Sequence, residues 1–425
     1  MDTICALSSA PGRAGVAVIR VSGPGAFGIC AKLCGTVPDP GQHKLRTLRG
    51  CENQTIDQAL VLSFTAPSSF TGEDVVEFQT HGARAVIDAV LRELTYLGAR
   101  PAEAGEFTRR ALENDKLSLG EVEGLADLLA AETKAQLDQA HKVLAGQLHE
   151  LAEALRARLL RGLAHLEAMI DFADEEVPED LSREALGELD EALSMIATEI
   201  SGSVVAERLR DGFEVAIVGP PNAGKSTLLN YLAGRDAALV SEVAGTTRDV
   251  VEVRMDVRGL PVTFLDTAGL RQSDDVVERM GIDRAMSRAA AADLRVFLLL
   301  DSAWTGSIPR KTQDVVVLGK ADTQNGDVSG VTGKGVDVLL ERIHEVLSEK
   351  VALIGSATHF RHREALVQAE RALDEARAVL SEDAHRVEVA AYYVRMAVSV
   401  LEGLVGRLDV EAVLGEIFSS FCIGK

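Results

Sequence analysis

Basic residues are in short supply: 44 Lys and Arg stand against 65 Asp and Glu, a formal charge of −21. That balance argues against strong unaided binding to a phosphate backbone, which draws on clustered cations and released counterions. Any nucleic-acid contact then needs a local basic patch or a partner's surface. Long apolar runs are missing too. No stretch approaches the eighteen apolar residues of a membrane span, and Met1-Asp2-Thr3 starts no basic segment followed by an apolar one. The expectation is a cytoplasmic protein with no membrane segment. Cysteine is scarce: Cys5, Cys30, Cys34, Cys51 and Cys422 are odd in number and form no Cys-x-x-Cys pair, which argues against zinc and structural disulfides. Cys422-Ile423-Gly424-Lys425 puts the last thiol where it is more reachable than in a core, yet Gly before a final Lys fits a prenylation box poorly. Against these shortages, 47% of the 425 residues are hydrophobic, enough for the cores of two to four domains.

What the chain does have is a loop suited to phosphate. Gly219-Pro220-Pro221-Asn222-Ala223-Gly224-Lys225-Ser226-Thr227 follows the apolar run Phe213 to Val218 and opens a helical stretch with Leu228, Leu229 and Leu232. Between a strand and a helix, such glycines let backbone N–H groups turn inward around phosphate oxygens. Lys225 can reach the terminal phosphates, the Ser226 hydroxyl is placed to ligate magnesium, and Ala223, Gly224 and Thr227 complete the cradle. A chance glycine-rich turn is the bland alternative; the strand before and helix after argue against it.

Downstream, Gly245-Thr246-Thr247-Arg248-Asp249 ends a polar loop and leads into alternating Val251, Val253, Met255 and Val257, which reads as a switch loop entering a strand. Thr247 is the candidate to close over magnesium when a terminal phosphate is present. The strand Val262-Thr263-Phe264-Leu265 then runs into Asp266-Thr267-Ala268-Gly269, where an acidic strand end can hold a magnesium water and the Gly269 N–H can sense the terminal phosphate.

After Val315 to Leu318 comes Gly319-Lys320-Ala321-Asp322, where guanine-binding proteins usually carry Asn-Lys-x-Asp. The Asp322 carboxylate can accept from the ring N–H and the exocyclic amine of guanine, a donor pair adenine lacks, so the expected nucleotide is GTP rather than ATP. Ser329-Gly330 is the expected last base-contacting loop, with Gly where Ala is usual. Gly319 cannot supply the amide that touches the base and steadies the phosphate loop; one lost neutral hydrogen bond costs about 0.5–1.5 kcal/mol. Retained guanine preference at reduced affinity follows, with a gain expected from Gly319→Asn.

Position 270 bears on mechanism. Leu270 stands where Ras-type enzymes place a water-orienting Gln, so another cation must neutralise charge and the water must be positioned otherwise. Asn222 can offer its side-chain carbonyl to a monovalent ion, with the backbone carbonyls of Ser241 and Val243, and the surrounding loop with Glu242 and Ala244, completing an oxygen cage. For the water, Asp274, Asp275 and Glu278 are candidate carboxylates that spacing alone does not separate; a solvated acidic helix start is the alternative for each.

The chain divides into three units, one of them split. Residues 1–117 mix strand-like runs, Val16 to Ile19 and Val75 to Phe78, with a helical segment Ala85 to Leu97, an α/β unit. Residues 118–210 hold a long amphipathic pattern from Leu119 to Ile170, with breaks expected at Gly146 and Gly162, then a helix over Ser182 to Leu209. Residues 211–350 are the nucleotide module, its connection between Leu300 and Asp314 too short for a full crossover helix. Residues 351–425 return to helices at Ala365 to Leu380, Val387 to Leu404 and Val410 to Phe421. Because a one-faced helix needs a partner, the two helical parts are expected to pack together, with the nucleotide module inserted between them. The fold class is thus multidomain: an N-terminal α/β domain and an all-α helical domain split by a P-loop, Ras-like module.

Taken together, the phosphate loop with Asn222, Gly245 to Asp249, Asp266-Thr267-Ala268-Gly269-Leu270-Arg271 and Cys422 to Lys425 resemble the MnmE (TrmE) family of tRNA uridine-modification GTPases. Pro11-Gly12-Arg13 to Arg20, Phe70-Thr71-Gly72-Glu73-Asp74, Gly105 to Thr108 and Asn114 to Leu117 extend the likeness over the whole chain. The resemblance implies a folate-binding N-terminal domain that forms a homodimer, and potassium held through Asn222, Ser241, Val243 and Thr246. It singles out Glu278 as the residue that orients water. It implies an FAD-containing MnmG partner, through which tRNA is mainly recruited, and an aminomethyl-type group added to carbon 5 of the wobble uridine. The one-carbon source would be 5-formyltetrahydrofolate or a related tetrahydrofolate. Glu77 could read a pterin as Asp322 reads guanine, because both rings present adjacent N–H donors. Arg20 and Lys116 match folate contacts for the anionic tail or formyl oxygen, and Lys425 and Cys422 would lie near that chemistry. A regulatory or ribosome-assembly GTPase switch without modification chemistry is the alternative; the nucleotide motifs alone do not separate the two.

Overall fold

The computed structural model describes residues 2–171, 180–235, 252–266, 287–301, 308–382, 386–404 and 424. They fall into two compact units, one built on Met1–Ala126 with the described residues from Glu402 onward, the other on Asp127–Leu401.

In the first unit, β1 (Ile4–Leu7), β2 (Ala14–Ser22), β3 (His43–Arg49), β4 (Thr55–Phe64), β5 (Val75–Gly82) and β6 (Arg100–Pro101) form one sheet in the order β3-β4-β5-β2-β1-β6. Helices α1 (Ala26–Cys34) and α2 (Arg84–Tyr96) pack on it, followed by α3 (Glu106–Glu113) and α4 (Leu119–Ala130). The two-residue period of β2 sends Ala17, Ile19 and Val21 into a core shared with Leu33, Phe78, Val90 and Leu94. Each large apolar side chain so withdrawn from water contributes roughly 1.5–3 kcal/mol. The same alternation turns Arg20 away from that core, and the β2–β5 register sets it directly opposite Glu77.

The helical pattern expected over Leu119 to Ile170 is three helices: α4, α5 (Lys134–Leu144) and α6 (Gln147–Asp171). Gly146, with φ of 88°, makes the second break, since a left-handed helix end suits glycine. The first break is at Thr133, whose side chain and that of Gln136 cap the start of α5 reciprocally. Gly162 does not break α6. It lies buried against α7 (Asp180–Asp211), where even a Cβ would meet Glu188 Cβ at an ordinary 3.5 Å, and the packing of α7 along it keeps α6 continuous.

After α7 the chain builds a second sheet from β7 (Phe213–Val218), β8 (Glu252–Val257), β9 (Leu260–Asp266), β10 (Leu294–Leu299) and β11 (Val315–Leu318). Its order is β11-β10-β7-β9-β8, and only the β8–β9 pairing is antiparallel. Helix α8 (Lys225–Ala233) follows β7, and α9 (Val336–Val351) closes the module. One face of the sheet buries Val215, Ile217, Phe264 and Val296 with Leu229 and Ile343; the other carries a smaller cluster of Ala216, Val218, Phe297, Leu299 and Ala289. Among the described residues between β10 and β11 there is no helix, in keeping with a short connection. Helix α10 (Phe360–Glu382) then packs along α7, with Arg363 reaching Glu207 and Arg377 reaching Asp190, and α11 (Val387–Leu404) follows. The helix expected at residues 410–421 lies outside the described residues.

Candidate nucleotide-binding site

The chain leaves β7 at Val218 and enters α8 at Lys225. In the turn between, Asn222 and Gly224 take left-handed angles, φ 64° and 98°, which glycine adopts freely and asparagine tolerates. Lys225 is buried, and its Nζ donates to the carbonyls of Gly219 at 2.9 Å and Pro220 at 3.0 Å. Burial pulls its ammonium below the ordinary lysine range, and nearby Asp266 opposes that pull. Phosphate oxygens inside the turn would supply the counter-charge that those two carbonyls only partly provide. Ser226 Oγ donates to Asp266 Oδ2 at 2.9 Å, so a hydroxyl from α8 and a carboxylate from the end of β9 meet beside the loop. Hydroxyl and carboxylate oxygens are the donors magnesium takes, and a phosphate in the loop would also meet the first-turn N–H groups of α8. The residues present therefore fit a magnesium-bound di- or triphosphate.

The base loops are held by contacts that the motifs did not reveal. Lys320 turns left-handed at φ 60° after β11, and Asp322 follows exposed. Buried Ser329 donates its Oγ to Asp322 Oδ1 at 2.7 Å and accepts from the N–H groups of Val331 and Thr332 at 3.2 and 3.3 Å. The serine thus aims the carboxylate. Its only signal in the sequence was a place in the expected last loop. At Gly330 a Cβ would lie 2.5 Å from the backbone nitrogen of Leu228, which explains Gly where Ala is usual. At Gly319 a Cβ would lie 2.6 Å from the carbonyl oxygen of Ala223. The backbone of the base loop therefore rests directly on the phosphate loop, where an asparagine side chain would otherwise tie the two.

Of the remaining predicted residues, the loop Ser241–Thr247, Thr267–Gly269 with Leu270, the acids Asp274, Asp275 and Glu278, and Cys422 and Lys425 lie outside the described residues. In the first unit, Arg20 Nε donates to Glu77 Oε1 at 2.9 Å, and its guanidinium lies 5.3 and 5.6 Å from the ring centres of Phe70 and Phe107. The stem of Lys116 runs beside Gly72 on the loop that carries Phe70, where a Cβ would meet Lys116 Cε at 3.3 Å. That loop is anchored from beneath. Buried Arg110 donates to Glu73, Glu106 and Asp2, and Glu73 accepts from Ser22, which also bonds Thr71. A carboxylate, a guanidinium and an aromatic ring brought together in this way fit a flat heterocycle carrying an anionic tail. Surface cavities of about 390 Å³ beside Cys34 and about 620 Å³ beside Glu349 contain none of the predicted residues.

A phosphate loop leaving a central parallel strand, an acid-ended neighbouring strand and an aimed carboxylate on the following loops define a P-loop nucleotide-binding protein. A family profile described as "GTP-binding protein TrmE N-terminus" matches residues 3–116, and one described as "MnmE helical domain" matches residues 119–422. Proteins of Roseobacter denitrificans, Ruegeria pomeroyi and Cereibacter sphaeroides, each described as "tRNA modification GTPase MnmE", are 55%, 56% and 54% identical to it, with 100% of each chain covered. The G domain of the T. maritima FeoB iron transporter aligns at 22% identity over 32% of this chain and 98% of its own, with a TM-score of 0.22, too partial a match to carry an assignment. The chain belongs to the MnmE family of tRNA modification GTPases. No helix among the described residues is long and apolar enough to cross a membrane.

Proposed function

We propose that this chain hydrolyses GTP, with potassium as activator, in the service of modifying carbon 5 of the wobble uridine of certain tRNAs. The observation that carries the reading is the convergence of Lys225, Ser226 and Asp266 at one loop, with Asp322 aimed by Ser329 beside it. Lys225 exchanges its carbonyl partners for the terminal phosphates, and Asp322 selects guanine. Ser226 and Thr247 would ligate magnesium and Asp266 would hold one of its waters; the ion, when bound, would draw charge from the transferring phosphoryl group. Asn222 sits exposed at the rim of the loop, and with Ser241, Val243 and Thr246 it forms the potassium site; Leu270 has no polar group for the water, which Glu278 orients.

In the first unit Glu77 reads the pterin of 5-formyltetrahydrofolate or a related tetrahydrofolate, the one-carbon source, while Arg20 and Lys116 hold its tail or formyl oxygen. Cys422 and Lys425 act near that carrier. The protein works in the cytoplasm as a homodimer with an FAD-containing MnmG-type partner that brings most of the tRNA contact, consistent with a net charge of −21. Residues 1–117 form the folate domain, and the helical domain of residues 118–210 and 351–425 is split by the G domain of residues 211–350. The packing of α10 on α7 and a family match running through residues 119–422 support that division.

Phosphate release from Mg-GTP by the full chain tests the reading. Hydrolysis is expected to be faster in potassium than in sodium and to be lost in Lys225→Met. Equal rates in the two salts remove the potassium site, and no turnover by the unaltered chain removes the GTPase.

A further inference from the structure

The cavity of about 390 Å³ in the first unit lies between the end of α1, the β3–β4 turn and α2, and its volume is within the range of small-molecule sites. Helix α1 ends at Cys34, where Gly35 at φ 85° turns the chain away, and β3 ends at Arg49 ahead of the turn that carries Cys51. Both thiols line the cavity, Cys34 half-buried and Cys51 exposed. Lys32 and Arg49 line it as well and are exposed. From α2, Leu97 adds apolar surface and Glu93 a carboxylate.

Glu93 is only 9% exposed, and among the described residues its carboxylate has no hydrogen-bond or ion-pair partner. A carboxylate withdrawn this far from water ordinarily finds a donor. Lys32 pairs with no carboxylate among the described residues, and Arg49 gives one N–H to the Asn53 carbonyl at 3.2 Å. Two cations and one carboxylate therefore line a single cavity without neutralising one another. The ligand that complements them carries an ammonium for Glu93 and carboxylates for Lys32 and Arg49. Among the described residues no group of His, Cys, Asp and Glu is placed to hold a metal ion, so the thiols point to covalent chemistry rather than coordination.

Cys34 is the thiol prepared for that chemistry. Cys30, one helical turn back and fully buried, holds its Sγ 3.6 Å from that of Cys34. As a thiol, Cys34 donates to the Cys30 carbonyl at 3.1 Å; once ionised, it can accept the Cys30 S–H instead. That neighbour draws the Cys34 thiol below the ordinary cysteine range, against its partial burial, and the Arg46 guanidinium, whose buried Nε lacks a hydrogen-bond partner, adds to the pull. Cys51 has no comparable partner among the described residues.

We infer that this cavity is a modification site: it binds a small disulfide of a zwitterionic thiol, one ammonium and two carboxylates on each half, and one half is transferred to Cys34. The Cys34 thiolate attacks one sulfur of the disulfide, so that a new S–S bond forms as the old one breaks. Cys34 is oxidised, the departing half is reduced, and the proton given up by Cys34 ends on the released thiol. The cavity makes the exchange selective, because Glu93 takes the ammonium and Lys32 and Arg49 the carboxylates, which holds the disulfide beside Cys34.

The test incubates the full chain with oxidised glutathione, which bears those groups, or with the uncharged 2-hydroxyethyl disulfide, and follows each cysteine by peptide mass spectrometry. Oxidised glutathione is expected to modify Cys34 ahead of Cys51, at a rate that saturates with concentration. Glu93→Gln should slow that reaction about tenfold or more, the loss expected for one hydrogen bond to a charged group, and leave the rate with the uncharged disulfide unchanged. Arg49→Gln, at an exposed position, should slow it selectively too and keeps the test decisive if the buried variant folds poorly, which circular dichroism checks. Modification of Cys51 before Cys34, a rate that rises without saturating, or equal slowing of both disulfides in the folded variants overturns the inference.

Discussion

Replacing Gly319 by asparagine restores the residue usual in guanine-binding loops, and the motif and the structure expect opposite signs from it. By the motif, the amide regains a neutral hydrogen bond and binding tightens by about 0.5–1.5 kcal/mol. By the structure, the new Cβ stands 2.6 Å from the Ala223 carbonyl, well inside the 3.4 Å of ordinary contact, and Leu298 Cδ1 closes the other side at 3.3 Å. The obstructing atom is phosphate-loop backbone, so relief requires moving the loop that holds the phosphates. Overpacking of this kind costs about 1–3 kcal/mol. Asparagine is then weaker than glycine, its amide offsetting part of the strain, and Gly319→Ala, with the strain and no amide, is weaker still. That is about five- to 150-fold for alanine at 1.4 kcal/mol per decade. Calorimetric titration of GDP into the three proteins, with circular dichroism to confirm folding, gives the order. Asparagine binding more tightly than glycine would refute the contact argument.

Ser329→Ala removes the donor that aims Asp322; a hydrogen bond to a charged group is worth about 1.5–3 kcal/mol, so GTP affinity should fall about tenfold or more while ATP binding is little changed. Equal losses for both nucleotides in competition binding would remove Ser329 from base recognition. In the first unit, hydrogen bonds from Arg100 and Arg110 hold the Asp2 carboxyl below its usual range; burial raises that of Glu106, but the same two arginines and the Glu103 N–H outweigh it. Carboxyls depressed in the folded state stabilise fully above their ordinary values of 3.8 and 4.5, and that stability is lost as pH falls below them, where the unfolded chain takes up protons first. Scanning calorimetry from neutral pH downward should show this loss, and Arg110→Met should reduce it while lowering stability at neutral pH by about 3 kcal/mol, because Glu73 is left without its buried partner while Glu106 keeps Arg100. A variant with the unaltered slope would show that the cluster does not govern acid stability.

The parts of the site that were legible in the sequence are those whose chemistry is local. A strand, a glycine-rich turn, a lysine and a helix are consecutive, so β7, the phosphate loop and α8 lie where Phe213 to Leu232 place them. Asp266 was legible because it ends a recognisable strand run, and Asp322 because it follows one on the next loop. What could not be read depends on neighbours far along the chain. Nothing near Gly319 announces the Ala223 carbonyl, and nothing near Glu73 announces Arg110, 37 residues on. The helical stretch shows the same limit in a different form. Gly146 broke the pattern as expected, but Gly162 was misjudged because its neighbour is another helix, and the break at Thr133 was missed because a capping pair resembles ordinary polar positions on an amphipathic surface.

The Arg20–Glu77 ion pair makes occupancy of that face an exchange of partners rather than the filling of a void. Whatever settles there must present donors to the carboxylate and an acceptor to the guanidinium in the same step. A molecule offering only one of these strands a half-desolvated charge and is rejected for it. Discrimination on this surface thus precedes any guest, because the two side chains already neutralise one another across adjacent strands while they wait.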